Sequence, residues 1–205
     1  MSNLMCAVRV ICLRHGEADD RPGHDLDDPG LTELGRDQAA TVGSTLMGER
    51  VAHVYTSPMR RARETADVIA EQLGVGVTEL PDLREVSAGT LDGAARQQAA
   101  AALREVFEAW LLDGALAVPV GDGETGSELV GRLETALSDV ADAHRGETVL
   151  VIGHGGILSF GLATLCPEPS GRFVLGHPLA NTARVDLAYD GDVWHCSSWA
   201  GEAPR

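Results

Sequence analysis

Two histidines, His15 and His154, occupy matching places in the sequence. Each follows a short apolar run typical of a buried strand, "VRVICL" before the first and "TVLVIG" before the second, and each directly precedes a glycine. A lone histidine in a loop is ordinarily solvated or satisfied within the core, but glycine lets the backbone approach a ligand and frees its amides to donate. Ligands of open α/β sheets bind outside the carboxyl ends of the strands. The two histidines are therefore predicted to share one pocket if their strands are adjacent.

Arginines close to these histidines indicate an anionic ligand. Arg14 directly precedes His15, and Arg60 and Arg61 follow Ser57, a residue suited to cap a helix. Guanidinium groups and a helix N-terminus both favour phosphate, because they offer N–H donors and positive charge. Arg60 is equally well explained as part of an exposed helix face that pairs with nearby acids. Together these residues predict a phosphate-binding site.

The segments that must position these residues alternate between strand and helix. Apolar runs predict strands at 7–13, through 54–55 and up to residue 152, and "ARVDLAYDGDVWHCSS" predicts a hairpin with a two-residue Asp-Gly turn. Helical spacing and caps predict further elements at 33–47, 58–73, 94–112 and 126–145. In the first of these helices, Leu34 is predicted to face inward. The alternation indicates one α/β domain over 1–205, with a largely parallel sheet and an antiparallel edge.

Composition excludes several classes of partner. The 205 residues carry a formal net charge of −15, so long-range electrostatics oppose binding to nucleic acid and to anionic membrane surfaces. No run is long enough to span a membrane, and "MSNLMCAVRVICL" lacks the basic and apolar regions of a signal peptide, which favours a cytoplasmic protein. The cysteines have no C-x-x-C spacing, so buried thiols are expected instead of disulfides or a zinc knuckle, at Cys6, Cys12, Cys166 and Cys196.

Four segments together resemble the histidine phosphatase superfamily, the group that includes cofactor-dependent phosphoglycerate mutases. They are "LRHGE" at 13–17, "TSPMRRARETA" at 56–66, "LREVSAGTLDG" at 83–93 and "VIGHGGIL" at 151–158. The segments keep the family's order and approximate spacing over nearly the whole chain. The resemblance implies a three-layer sandwich with helices on both faces of a mostly parallel sheet, an antiparallel edge strand and a small helical cap at about 94–125.

The same resemblance assigns roles to the phosphate-binding residues. His15 would be the nucleophile that takes the phosphoryl group, and Arg14 and Arg61 would clamp the phosphate oxygens. Arg61 matches the family's arginine better than Arg60 does, because it directly precedes Ala62 in "RAxxTA". Phosphoryl transfer gains most from positioning and from neutralising charge on the equatorial oxygens, which suits these groups.

Three further residues take their roles from the resemblance. Glu85 would protonate the leaving oxygen, His154 would contact the transferring phosphoryl group, and Gly155 would line the substrate site. No metal or cofactor is implied, since arginines and imidazoles supply the positive charge. The expected partner is a small phosphorylated substrate, and a homodimer is compatible with the sequence.

Two features depart from the family's pattern. Many relatives have Ser or Thr and then Asn where this chain has Ala18 and Arg21. Arg21 would either replace the missing contact as a substrate-binding charge or point to solvent, within the acidic loop at 19–28. The interval from Glu85 to His154 is also shorter than in the mutases, which implies a more open pocket.

These observations leave several functions open. The leading hypothesis is a phosphomonoesterase that hydrolyses small phosphate esters through a phosphohistidine on His15. A phosphoglycerate mutase would use the same residues but retain the phosphorylated product, and a catalytically silent member would only bind. A zinc hydrolase is the remaining alternative, without recognisable ligand spacing, and it would use His15, His24, His154 and His177.

Overall fold

The described residues form one mixed six-stranded sheet. The computed structural model describes residues 7–19, 28–91 and 96–204. The strands are β1 (Val8–Arg14), β2 (Val51–Thr56), β3 (Val77–Glu79), β4 (Thr148–Gly153), β5 (Arg184–Tyr189) and β6 (Trp194–Trp199). Their order across the sheet is β3-β2-β4-β1-β5-β6. The strands β1 to β4 pair in parallel, whereas β5 is antiparallel to both of its neighbours, so the expected antiparallel edge is present.

Helices cover both faces of this sheet and complete a three-layer arrangement. They are α1 (Glu33–Leu46), α2 (Arg60–Leu73), α3 (Arg96–Asp113), α4 (Gly126–Ala143), α5 (Gly155–Leu165) and α6 (Gly171–Gly176). Side chains of a strand alternate between the faces. In β1, Ile11 and Leu13 pack into the core cluster with α1 and α2, while Val10 and Cys12 pack into the cluster with α4 and α5. No helix in the described ranges is both long and apolar enough to cross a membrane.

Three local details differ from the sequence-based expectations. Helix α2 begins at Arg60, two residues after Pro58, because the backbone N–H of Met59 first bonds to the Ser57 hydroxyl at 3.2 Å. The turn of the β5–β6 hairpin spans residues 190–193, because Asp190 accepts two backbone N–H bonds and holds a wider loop.

The third difference concerns the helix face of α1. Leu34 was expected to face inward but is 53% exposed. The neighbouring Gly35 faces inward in its place, since a Cβ on Gly35 would lie only 2.1 Å from the carbonyl oxygen of Glu17. The described cysteines carry free thiols, buried for Cys12 and Cys166 and half-buried for Cys196.

The sheet order brings the two histidines together. Strands β1 and β4 are parallel neighbours whose register ends at the pair Arg14 and Gly153. The next residue of each strand is a histidine, His15 in one and His154 in the other. The condition for a shared pocket, that these two strands be adjacent, is therefore met, and both imidazoles lie at the same edge of the sheet.

Candidate active site

The ring of His15 is held in one tautomer by its neighbours. Its Nδ1 lies 2.7 Å from the carbonyl oxygen of Gly16, and its Nε2 lies 3.1 Å from Nε of Arg61. A carbonyl oxygen only accepts and an arginine N–H only donates, so Nδ1 carries the hydrogen and Nε2 keeps its lone pair. His15 thus presents the unprotonated nitrogen that a nucleophile needs.

The same surroundings keep this imidazole uncharged. His15 is 6% exposed. Burial, followed by the charges of Arg61 and Arg14, lowers the pKa of His15 from its usual 6.5 to about 3, although the bond to Gly16 opposes this change. At neutral pH the ring is therefore available as a base or nucleophile without first losing a proton.

The backbone around His15 is fixed by contacts from three other segments. The N–H of Gly16 donates to the Thr65 hydroxyl at 3.0 Å, and the side-chain amide of Asn181 donates to the His15 carbonyl at 3.1 Å. A Cβ on Gly16 would lie 2.5 Å from the carbonyl oxygen of Gly35, so only glycine fits between the site loop and α1. These contacts set the direction of the nucleophile.

His154 is buried beside His15. The two ring centroids are 5.1 Å apart, and Nε2 of His154 lies 2.8 Å from the Ser57 hydroxyl oxygen. That oxygen also accepts the N–H of Met59, and its own hydrogen can donate to Nε2, an arrangement with the ring hydrogen on Nδ1. The Nδ1 atom is buried without a hydrogen-bond partner among the described residues.

His154 is also held neutral. Burial comes first, and the nearby charge of Arg61 comes second, among the causes that lower the pKa of His154 well below its usual range. Two neutral imidazoles therefore lie side by side at this edge of the sheet.

The two candidate arginines differ in what they contact. Arg61 donates to the nucleophilic nitrogen of His15, and Arg14 donates to the carbonyl oxygen of Leu179 at 2.6 Å. Both line the same cavity. Arg60 instead pairs with Glu64 one turn along α2 at 2.7 Å, as expected for a surface residue. The preference for Arg61 over Arg60 therefore agrees with the geometry.

The carboxylate of Glu85 lies at the N-terminus of α5. Its Oε1 accepts the backbone N–H of Ile157 at 2.8 Å and that of Val86 at 3.0 Å. Its Oε2 accepts the N–H of Gly156 at 2.9 Å. Because Oε2 makes fewer of these bonds, it is the oxygen with room for a transferable proton. Glu85 also lines the cavity with both arginines, where a proton donor to the leaving oxygen would have to be.

Arg132 fixes the segment that carries Glu85. From α4, its Nη1 donates to the carbonyl oxygens of Asp82 at 2.6 Å and Arg84 at 2.7 Å. Its Nε pairs with Glu124 at 2.6 Å. The sequence analysis did not single out Arg132, since its function depends on three carbonyl and carboxylate partners that only the folded chain brings together.

Arg14, His15, Arg61 and Glu85 line one cavity of about 1020 Å³. The rest of its described lining comes from the 17–19 segment, from the start of α1, from the residues just before α1 and from Asn181. Of residues 103–125, the part of the predicted cap whose side chains the structure describes, none is in the lining. The lining consists of Arg14, His15, Glu17, Ala18, Asp19, Pro29, Thr32, Glu33, Leu34, Arg61, Glu85 and Asn181.

The remaining predicted residues have varied outcomes. Arg21 lies outside the described residues. Gly155 begins α5 beside Arg14, where a Cβ would lie 3.4 Å from the guanidinium Nε, so glycine keeps space next to that group. Ser57 was predicted only as a helix cap, and its bond to His154 could not be inferred from local sequence. The structure thus brings His15, Arg14, Arg61, Glu85 and His154 to one site, while their catalytic roles stay predictions.

The zinc alternative gains no support from the geometry. His24 lies outside the described residues. His177 stacks on Phe173 with ring centroids 4.0 Å apart and bonds through Nδ1 to that residue's carbonyl oxygen. Among the described residues, no three His, Cys, Asp or Glu side chains come together as metal ligands.

Comparison with known proteins places these features in a wider group. The model of the histidine phosphatase superfamily (branch 1) matches residues 10–201. A phosphoglycerate mutase-like protein 4 of Arabidopsis thaliana is 33% identical over 198 residues, which covers 94% of this chain and 84% of that protein. A metal-independent phosphoserine phosphatase of the same plant is 34% identical over 157 residues, covering 74% of this chain and 66% of that protein.

A solved structure gives the same picture at the level of the fold. It is a mycobacterial glucosyl-3-phosphoglycerate phosphatase in complex with VO3. It superimposes with a TM-score of 0.75 at 26% sequence identity, covering 93% of this chain and 98% of that one. The similarity therefore extends over the whole arrangement of sheet and helices.

Proposed function

The chain belongs to the histidine phosphatase superfamily, and from this membership we propose that it is a phosphomonoesterase that hydrolyses small phosphate esters through a phosphohistidine on His15. The observation that carries the proposal is the fixed tautomer of His15. Nδ1 is bound to the Gly16 carbonyl oxygen and the unprotonated Nε2 lies beside Arg61. An imidazole that served only as a hydrogen-bond donor would not need a free lone pair on the nitrogen that faces the Arg61 side chain.

The proposed reaction has two steps. The lone pair on Nε2 of His15 forms a bond to phosphorus as the bond from phosphorus to the ester oxygen breaks, and Glu85 gives its proton to that departing oxygen. Water then attacks phosphorus and gives a proton to Glu85, and the phosphorus–nitrogen bond breaks. Inorganic phosphate leaves, and His15 returns to its neutral form.

The charge that develops in both steps is met by groups already in place. Arg14 and Arg61 face the equatorial oxygens, and Nδ1–H of His154 adds a neutral donor. Such preorganised donors are the largest contribution to phosphoryl transfer in most enzymes. Because guanidinium groups supply this charge, the proposed reaction is metal-independent.

A mutase is the second candidate, and it is favoured by the names of several relatives, which are called phosphoglycerate mutase-like or probable phosphoglycerate mutases. A mutase must hold the phosphorylated product and exclude water until the phosphoryl group returns. The short interval between Glu85 and His154 leaves fewer residues to enclose the phosphohistidine, which supports water as the acceptor. Hydrolysis is therefore the activity that we propose.

Trapping of the covalent intermediate tests the mechanism. Brief incubation with a labelled phosphate ester, followed by alkaline quenching, should leave label that is stable to alkali and lost in acid. The labelling and turnover should be unchanged by EDTA. Label that persists in a His15→Ala variant would disprove the assignment of the nucleophile.

A separate assay distinguishes hydrolysis from isomerisation. The protein is given 3-phosphoglycerate with a catalytic amount of 2,3-bisphosphoglycerate, and both free phosphate and 2-phosphoglycerate are followed with time. We expect phosphate release to dominate with this and other esters. Isomerisation faster than phosphate release by orders of magnitude would make the protein a mutase.

A further inference from the structure

Part of the cavity carries a charge opposite to that of the phosphate-binding groups. We call Glu17 and Glu33 the acidic wall; both line the cavity. Glu17 accepts a hydrogen bond from the Thr32 hydroxyl at 2.9 Å, and Glu33 occupies the first turn of α1. Within the described ranges, neither Glu17 nor Glu33 has an arginine, lysine or histidine within ion-pair distance. Their negative charge is therefore open to a ligand.

The charges of the lining do not balance once phosphate is bound. Arg14 and Arg61 offer two positive charges, which a phosphate dianion neutralises. The acidic wall remains negative, so the part of the substrate beyond the phosphate faces a negative potential. A carboxylate or second phosphate there would be repelled, whereas a cation would be attracted.

The same region also presents apolar surface. Ala18, Pro29 and Leu34 line the cavity among the acidic residues, and Leu34 is 53% exposed. An exposed leucine at the mouth of a polar cavity provides a contact for a short carbon chain. The region therefore suits a group that is both aliphatic and positively charged.

Local structural roles explain why each residue of the acidic wall is acidic, but they do not explain why these residues line the same cavity. An acid in the first turn of a helix is favoured by the helix dipole, which explains Glu33. The bond from Thr32 ties Glu17 to the cap of α1. Neither role requires the carboxylates to face the cavity that also holds the nucleophile.

We propose that the substrate is a phosphate monoester whose alcohol part is a short aliphatic chain bearing an ammonium group. This inference rests on the proposed phosphatase function and narrows its substrate class. Esters whose alcohol carries a carboxylate, including phosphoglycerates, are then poor substrates. The preference arises from the acidic wall and not from the phosphate-binding groups.

Three small esters of nearly equal size test the preference: phosphoethanolamine, ethyl phosphate and phosphoglycolate, whose alcohol parts are cationic, neutral and anionic. The measured quantity is kcat/KM for phosphate release. We expect the order phosphoethanolamine, ethyl phosphate, phosphoglycolate, from the best to the worst. Added salt should reduce the spread, because the acidic wall is solvated.

Variants separate the effect of the wall from the chemistry of the leaving groups. In Glu33→Gln and in Glu17→Gln, the ratio of kcat/KM for phosphoethanolamine to that for phosphoglycolate should fall about fivefold, because losing one charge about 8 Å away in water changes kcat/KM of each ester roughly twofold, in opposite directions. Glu33→Gln serves as the second variant because Glu17→Gln also removes a bond to Thr32. Asp37→Asn, an exposed acid of α1 outside the cavity lining, is the matched control and should leave the ratio unchanged.

The outcomes distinguish this inference from the proposed function. If nitrophenyl phosphate is hydrolysed but the ratio is the same in all variants, the substrate inference is wrong and the phosphatase function stands. If phosphoglycolate is the best of the three esters in the unmodified protein, the inference is also overturned. If no ester yields phosphate, the proposed function itself fails.

Discussion

At the scale of single residues, the central feature is a pair of imidazoles that burial and neighbouring arginines keep neutral. The pKa of His15 falls to about 3 and the pKa of His154 falls well below its usual range. Neutral nitrogen is the reactive form, so activity should not depend on deprotonating His15 near neutral pH. Because the fold keeps these rings neutral, the folded protein also loses stability relative to the unfolded chain as the pH falls.

Replacing His15 by asparagine should make the protein less sensitive to acid. The imidazole titrates near 6.5 when unfolded and near 3 when folded. Between these values the unfolded chain therefore binds more protons, and the free energy of unfolding decreases as the pH falls. The decrease for this residue approaches ~1.4 kcal/mol per pH unit.

Urea unfolding between pH ~4 and pH ~7 measures this dependence. The slope of the unfolding free energy against pH should be smaller in His15→Asn than in the unmodified protein. The difference should reach at most ~1.4 kcal/mol per pH unit, which corresponds to the uptake of one proton. The titration of His154 continues to contribute in both proteins. Equal slopes would mean that the His15 ring is not held neutral by the fold.

Removal of the Ser57 hydroxyl should impair His154 without affecting the nucleophile. In Ser57→Ala, the buried Nε2 of His154 loses its partner, and the ring hydrogen can move from Nδ1 to Nε2. We expect kcat to fall on the order of a hundredfold, the lower end of the range for losing one transition-state donor. Ser57→Thr keeps the hydroxyl and should recover most of the activity.

Nitrogen NMR of the imidazole reports the tautomer of His154, which a general loss of stability would not change. The hydrogen should be on Nδ1 of His154 in the unmodified protein and in Ser57→Thr, and on Nε2 in Ser57→Ala. Ser44→Ala, an exposed serine of α1, is the control. An unchanged tautomer in Ser57→Ala would remove Ser57 from the site.

The residues that could be predicted from the sequence are those that belong to short motifs. His15, Arg14, Arg61, Glu85 and His154 each follow a recognisable run of neighbours, and the structure places them together. Contacts made by Asn181, Arg132 and the Ser57 hydroxyl depend on how distant segments cross, and nothing in their local sequence encodes that crossing.

At the scale of elements, the important junction is the one where the Glu85 segment meets the start of α5. Arg132 ties this segment to α4 through the carbonyl oxygens of Asp82 and Arg84. The N-terminal amides of α5 hold the Glu85 carboxylate in turn. The position of the proposed acid therefore depends on two helices and not only on its own loop.

Arg132→Lys should slow the hydrolysis of alkyl phosphates about tenfold, while nitrophenyl phosphate is affected little. Lysine has a single nitrogen and cannot bond to both carbonyl oxygens and pair with Glu124 at once. Glu85 therefore loses its position, and only poor leaving groups need its proton. Glu85→Gln should show the same pattern, with a larger loss of kcat for alkyl phosphates. The measurement is kcat for each ester, with Arg104→Lys on α3 as the control, and equal losses for both esters would contradict the positioning role.

The elements themselves were predicted best where caps and periodicity agree. The start of α1 after Thr32 and the capping box of Thr125 and Glu128 are both present in the structure. Strand β3 was missed because Val77–Glu79 is short and exposed, and α6 was missed because six residues give too little periodicity. Exposure of Leu34 could not be foreseen, since it depends on the close approach of Gly35 to Glu17.

At the scale of the whole molecule, the two core clusters are joined through the central strands. In β4, Leu150 and Ile152 pack into the cluster with α1 and α2, while Val149 and Val151 pack into the cluster with α4 and α5. Strand β1 divides its side chains in the same way. Neither cluster can therefore lose its strands without disrupting the other.

We predict a single cooperative unfolding transition, as for one domain. Urea titrations followed by far-UV circular dichroism, which reports all helices, and by tryptophan fluorescence should coincide. The fluorescence reports one cluster, because Trp110, Trp194 and Trp199 are buried in the cluster with α4 and α5. Separated midpoints would show that the α1–α2 face unfolds independently.

The order of strands also has a consequence for synthesis on the ribosome. Strand β1 pairs only with β4 and β5, both of which are translated long after it. A nascent chain that has released β1, α1, β2 and α2 thus holds the nucleophile on a strand without neighbours, next to a helical face that is not yet supported. Insertion of β4 between β1 and β2 completes the sheet and delivers His154 in the same event. Catalytic competence should therefore arise late in translation and all at once, and a prematurely terminated chain would carry the nucleophile without an active site.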